Sequence, residues 1–148
     1  MNYEANLQIG AKVTPSAAYA ALTDIRKLAA WWTPDTRGDG GNVGGVIEFW
    51  FGEFCEKFEV TMLEPGKLVI WKAPAGQGAL EWEGTEVTFS IRQDEKQTFV
   101  RLTHSGWREK TDFFAHCSTR WATFLLSLKE LLETGKGRPI PNDVKVDY

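Results

Sequence analysis

The feature that most constrains this chain is a single long amphipathic segment that follows a succession of short strands. Residues Asp112–Thr134 place Phe113, Cys117, Trp121, Phe124, Leu125, Leu128, Leu131 and Leu132 on one stripe at a period of 3.6, with Ser118, Arg120, Thr123, Lys129, Glu130 and Glu133 largely elsewhere. Gly135 then stops the helix. A lone helix of this length must bury its stripe on the only large surface available, the sheet built by the strands before it. If that sheet curves around the helix, a cavity can open between them.

The strands follow from alternation and turn chemistry. Residues 4–10 alternate Ala5, Leu7 and Ile9 against Asn6 and Gln8. Thr14-Pro15 opens a helix, because Thr caps free N–H groups and Pro suits the first turn. Thr23-Asp24 caps a second, shorter helix, and Pro34 closes the helical region after Trp31-Trp32. Residues 35–45 form a glycine-rich loop. It lacks the Gly-Lys-Ser/Thr of a phosphate loop and reads as a flexible connection or flap. Strands are expected at Val46–Phe51, Phe54–Glu64, 67–73, 82–93 and 97–104, with a type II turn at Glu64-Pro65-Gly66-Lys67. The expected order is β-α-α-β-β-β-β-β-α, an α+β domain with an antiparallel sheet and a tail over residues 136–148 running extended on the surface.

Parity along the strands assigns faces. It points Ile47, Phe49 and Phe51 inward, likewise Glu56, Phe58, Val60 and Met62, then Val87, Phe89 and Ile91, then Val100, Leu102 and His104. Seven Trp and nine Phe supply large flat surfaces, either to fill this interior or to line a pocket in it.

Composition excludes several functions. A net charge of −3 with scattered basic residues is not the footprint of a nucleic-acid binder or of an anionic-membrane binder. No apolar run reaches the roughly 20 residues of a spanning helix, and the first residues lack the pattern of a secretory leader. The two cysteines, Cys55 and Cys117, have no metal or redox spacing, so a cytoplasmic protein without disulfides is expected.

Few residues invite chemistry. His104 and His116 are the only histidines; neither has partners spaced for a metal, and no metal or cofactor is expected. Cys117 lies on the apolar helix stripe, where a thiol is inert packing. No Gly-x-Ser-x-Gly elbow is present. Glu56 is a carboxylate on an inner face. It either reaches water near a strand end or anchors a ligand in an apolar pocket, and with His104 it could form an acid–base pair. His104 itself reads as a hydrogen-bonded core residue or a polar ligand contact. Of Trp31-Trp32, either one closes the end of the core while the other lies half exposed, or the pair forms an aromatic gate at a cavity mouth.

The pattern resembles a known family. Ala20-Ala21-Leu22-Thr23-Asp24 with Trp31-Trp32, the Leu63-Glu64-Pro65-Gly66-Lys67-Leu68 turn, Thr85-Glu86-Val87-Thr88-Phe89, Leu102-Thr103-His104-Ser105-Gly106-Trp107 and Trp121 occur in order along nearly the whole chain. Together they resemble the START/Bet v 1-like superfamily (SRPBCC), and within it the stand-alone proteins related to the C-terminal domain of the activator of Hsp90 ATPase. The resemblance implies a helix-grip fold in one domain spanning residues 1–148, and no catalytic residue set. It implies one of three functions. The first is binding of a small hydrophobic or amphipathic molecule between sheet and helix, with Trp32, Phe49, Glu56, Phe58, Phe89, His104, Phe113, Cys117, Trp121 and Leu125 as cavity residues. The second is a co-chaperone-type module that binds a chaperone or other protein. The third is a cyclase- or hydrolase-like enzyme using the same cavity. Either a monomer or a homodimer fits.

Overall fold

A computed structural model describes residues 2–147. Strand β1 (Tyr3–Ala11) leads into α1 (Pro15–Thr23) and α2 (Ile25–Trp31); then come β2 (Thr36–Gly38), β3 (Val46–Phe51), β4 (Phe54–Glu64), β5 (Leu68–Lys72), a 3₁₀ turn at Leu80–Trp82, β6 (Glu86–Gln93), β7 (Thr98–Trp107) and α3 (Asp112–Thr134). The strands form one antiparallel sheet in the order β1-β7-β6-β5-β4-β3-β2. The helices lie on its inner face, which makes this the expected helix-grip fold.

Local chemistry sets the helix ends. Thr14 Oγ1 accepts from the Ala17 N–H, the Asp24 carboxylate from Arg26 N–H, and Thr111 Oγ1 from Phe114 N–H. Gly135 ends α3 with φ +83°, a conformation open to glycine. Along α3, Cys117, Trp121, Phe124, Leu125 and Leu128 are buried, as the stripe requires.

The sheet departs from the expected one in four places. Residues 36–38 add a seventh strand inside the glycine-rich loop, with Thr36 opposite Phe49 and Gly38 opposite Ile47. That loop is stitched to the sheet rather than free as a flap: Asp39 N–H donates to Val46 C=O, Gly44 N–H to Val60 C=O, and Val60 N–H to Gly45 C=O. Residues 80–82 form a 3₁₀ turn instead of opening β6, and β7 runs past His104 to Trp107. Finally, Met62 points outward, 47% exposed, because a bulge between Val60 and Met62 reverses the parity of β4.

The tail lies along the body without regular structure, yet it is docked. Ile140 N–H donates to Trp32 C=O, Arg138 N–H to Ser127 Oγ, and Asp143 is buried.

Candidate functional site

The interior is filled by its own rings. Trp32 contacts Phe49 at 4.1 Å and Trp121 at 4.9 Å between ring centres; Trp71 meets Phe89 at 4.9 Å and Phe58 at 5.6 Å. Phe49, Phe58 and Phe89 have no exposed surface, and Leu125 almost none. Against these rings lies a recess of about 130 Å³, lined by Trp32, Phe51, Trp82, Phe113, His116, Cys117, Arg120, Trp121 and Phe124. Four of the ten expected cavity residues, Trp32, Phe113, Cys117 and Trp121, reach it. Phe49, Phe58, Phe89 and Leu125 are packing behind it, and Glu56 and His104 have their own partners elsewhere. Sequence reasoning misses Trp82, because the pattern suggests a strand where the 3₁₀ turn aims that ring inward. It also misses Arg120, whose helix position lies off the apolar stripe.

His104 is fully buried at the centre of a polar chain. The Trp121 indole N–H donates to His104 Nδ1 at 3.0 Å. An indole nitrogen can only donate, so Nδ1 carries no proton and Nε2 does. Nε2–H then donates to Thr85 Oγ1 at 2.8 Å, and the Thr85 hydroxyl donates to Trp82 C=O at 2.6 Å. Every proton has one place to go. Burial pushes the ring's pKa down to about 3, so it stays neutral. With both nitrogens engaged, His104 has no lone pair to offer a substrate or metal.

Glu56 is 2% exposed on β4. Its Oε1 accepts from the Ala79 N–H at 2.8 Å, and Oε2 has no protein partner. The carboxyl lies against Gly78, whose φ is +74°; a Cβ built there would sit 2.0 Å from Oε2. Burial raises its pKa to about 7, against the lowering pull of the Ala79 N–H. Glu56 therefore holds the 76–79 loop, while His104 holds β7 to α3, and the two do not form an acid–base pair.

Cys117 borders the recess, but burial pushes its thiol up to about 12, which leaves no thiolate to act as a nucleophile. At the rim, Arg120 lies over the Phe124 ring at 4.7 Å and donates to Asp143 Oδ2 at 2.7 Å. Asp143 also accepts from Lys145 at 2.8 Å. Burial would raise the Asp143 pKa, but the hydrogen bonds from Lys145 and Arg120 outweigh it, and the carboxyl is held below its ordinary value. Among the described residues, no three His, Cys, Asp or Glu side chains are placed to hold a metal ion. Nor is any described helix long and apolar enough to cross a membrane.

Among solved structures, the Aha1 dimer of Colwellia psychrerythraea is 48% identical and superposes with a TM-score of 0.83 over 91% of this chain and 99% of that one. Protein MLL2253 of Mesorhizobium loti (19% identity, TM-score 0.78, 88% and 96% of the two chains) and SSP2350 of Staphylococcus saprophyticus (17%, 0.75, 93% and 97%) share the fold. No curated protein matches the sequence. A sequence profile described as activator of Hsp90 ATPase homolog 1-like protein matches residues 12–133. With a helix-grip sheet closed on its own aromatics, the chain belongs to the activator of Hsp90 ATPase homolog 1-like family.

Proposed function

We propose that the protein is a co-chaperone-type interaction module that acts through its surface as a homodimer. The observation that carries this reading is the filled interior. Pockets that engulf a drug-sized ligand run to roughly 300–1,000 Å³; the recess against the core rings is about 130 Å³, and the larger hollows, of about 240–360 Å³, open among polar surface residues such as Glu81 and Arg108, Asp112 and Thr119, Arg92 and Arg101, or Lys27. The dimeric relative supports the homodimer: it aligns over 99% of its length, so its contacts between copies come from a domain of this shape. The family and that relative's name together point to an Hsp90-class chaperone as the partner. The test is to add the purified protein to an Hsp90-class chaperone and follow ATP turnover. We expect a saturable rise of several-fold. Unchanged turnover, together with no complex by sedimentation, would sink the reading.

A second reading keeps a ligand, on the strength of the recess itself. Trp32, Trp121 and Phe124 offer apolar walls and Arg120 a polar rim, which suits a small aromatic molecule of under about ten heavy atoms. Quenching of tryptophan fluorescence by such compounds, lost in Phe124→Ala, would favour it over the first. The recess gives little support to catalysis: both His104 nitrogens are engaged, the Cys117 thiol stays protonated, and Glu56 does not line it.

A further inference from the structure

We infer that two copies of this chain join edge to edge through β1, in antiparallel register centred on Asn6, so that the two sheets become one. The inference rests on the homodimer reading above and locates its interface.

The sheet has two edges, β1 and β2. Strand β2 is three residues long and carries Arg37 paired with Asp35, a short charged edge of the kind that discourages pairing. Strand β1 has nine residues. Two independent observations give the direction of its backbone groups. The β6–β7 turn is closed by Asp94 N–H donating to Gln97 C=O. Hydrogen-bonded pairs alternate along an antiparallel ladder, so Phe99, Arg101 and Thr103 bond toward β6, and Thr98, Val100, Leu102 and His104 bond toward β1. Their partners on β1 are the odd-numbered residues Ala5, Leu7, Ile9 and Ala11. The even-numbered residues therefore present N–H and C=O at the open edge. The second observation agrees: Lys129 Nζ on α3 donates to the carbonyl of Gly10, an even position.

Helix α3 also limits how far the open edge extends. Lys129 occupies the Gly10 carbonyl, and the Glu133 carboxylate accepts the Lys12 N–H at 2.9 Å. That end of β1 is capped, while Glu4, Asn6 and Gln8 are exposed. Three of the outward residues could sit on a twofold axis relating two such edges. Centring on Gln8 places Gly10 and Lys12 in the ladder, where α3 already holds them. Centring on Glu4 sets two glutamates directly opposite, which is destabilising. Centring on Asn6 pairs Asn6 with itself and Glu4 with Gln8 of the second copy, using only free groups. Each of the three pairs exchanges two hydrogen bonds. An axis between these residues, at Ala5 or Leu7, pairs only two of the three with one another. In the Asn6-centred register the half-buried Leu7 meets Ala5 of the other copy on the inner face. A closed twofold pairing of this kind also removes the edge that would otherwise recruit further chains.

The test compares dimer dissociation constants by analytical ultracentrifugation with circular dichroism as the check of fold. Asn6→Pro removes an outward N–H that no bond within the chain uses, and should raise the dissociation constant at least tenfold. Gln8→Glu keeps the acceptor that Arg101 Nε uses at 3.0 Å, but sets a second carboxylate against Glu4 of the other copy. It should weaken the dimer about tenfold, and adding Glu4→Lys should restore it. A folded Asn6→Pro protein with wild-type dimerisation would overturn the β1 interface. So would a Gln8→Glu effect that Glu4→Lys fails to reverse; that pair decides the matter if Asn6→Pro does not fold. A wild-type protein that stays monomeric up to about 100 µM would instead overturn the homodimer reading itself.

Discussion

His104 and Glu56 are both buried ionisable groups, and burial moves them in opposite directions. His104 goes from an ordinary value of 6.5 to about 3, so its contribution to stability is fully present above pH 6.5 and is lost as pH falls toward 3. Glu56 goes from 4.5 to about 7, so its contribution is fully present below pH 4.5 and is lost as pH rises through 7. Between pH 4.5 and 6.5 the two slopes oppose each other, and the wild-type curve should be shallow there. Glu56→Gln keeps an acceptor for the Ala79 N–H and removes one of the two slopes. Its stability relative to wild type should climb by about 3 kcal/mol from pH 4.5 to pH 8, since a tenfold change in proton affinity is worth about 1.4 kcal/mol. The variant alone should then lose about 3 kcal/mol from pH 6.5 down to 4.5, with His104 unopposed. Urea midpoints across this range check both statements. A gap that stays flat with pH would mean that Glu56 titrates as an ordinary surface carboxylate.

Helix α3 is the element on which the fold depends, and its two faces give a direct comparison. Leu128 is fully buried against the sheet, whereas its near neighbour Leu126 is 55% exposed. Leu128→Asp both empties an apolar site and forces a carboxylate into it without a partner. The expected loss is about 4 kcal/mol or more, enough to unfold a marginally stable domain. Leu126→Asp should stay within about 0.5 kcal/mol of wild type. Thermal melts of the two variants test this assignment, and a cooperative melt of Leu128→Asp at the wild-type midpoint would contradict it. The same helix carries Ser127, a polar residue buried on the apolar side. It donates to Trp31 C=O and accepts from Arg138 N–H, tying α2 to the tail. Its place on the helix could be read from the sequence, but its partners, 96 and 11 residues away, could not.

At the scale of the molecule, what could be read in advance is whatever repeats with a fixed period. Val87, Phe89 and Ile91, or Ile47 and Phe49, face inward because strand parity demands it, and the α3 stripe follows from 3.6 residues per turn. Met62 escaped because one bulge reverses parity, and β2 escaped because three residues show no period. The recess escaped because parity is blind to volume: seven Trp and nine Phe are compatible with a hollow grip or a filled one. The tail was the least legible part, being aperiodic, yet it bears on the whole body. Asp143, with a side chain only 1% exposed, holds Arg120 at the rim, and Ile140 N–H bonds Trp32 C=O at 2.8 Å. Deleting residues 136–148 therefore leaves the Arg120 guanidinium without its carboxylate and the Trp32 carbonyl and Ser127 without their tail N–H donors. The body keeps its sheet and α3 and should still fold, with a loss of about 2–4 kcal/mol, the range for broken buried charge pairs and orphaned polar groups. The loss should be felt at the recess before it is felt at the sheet. Iodide should quench the truncated protein's tryptophan emission more strongly, as Arg120, freed from Asp143, no longer stays fixed at the rim beside Trp32 and Trp121, while amide exchange in β6 and β7 slows or quickens only with global stability. A truncated protein with wild-type stability and unchanged quenching would show that the tail rests on the body without supporting it.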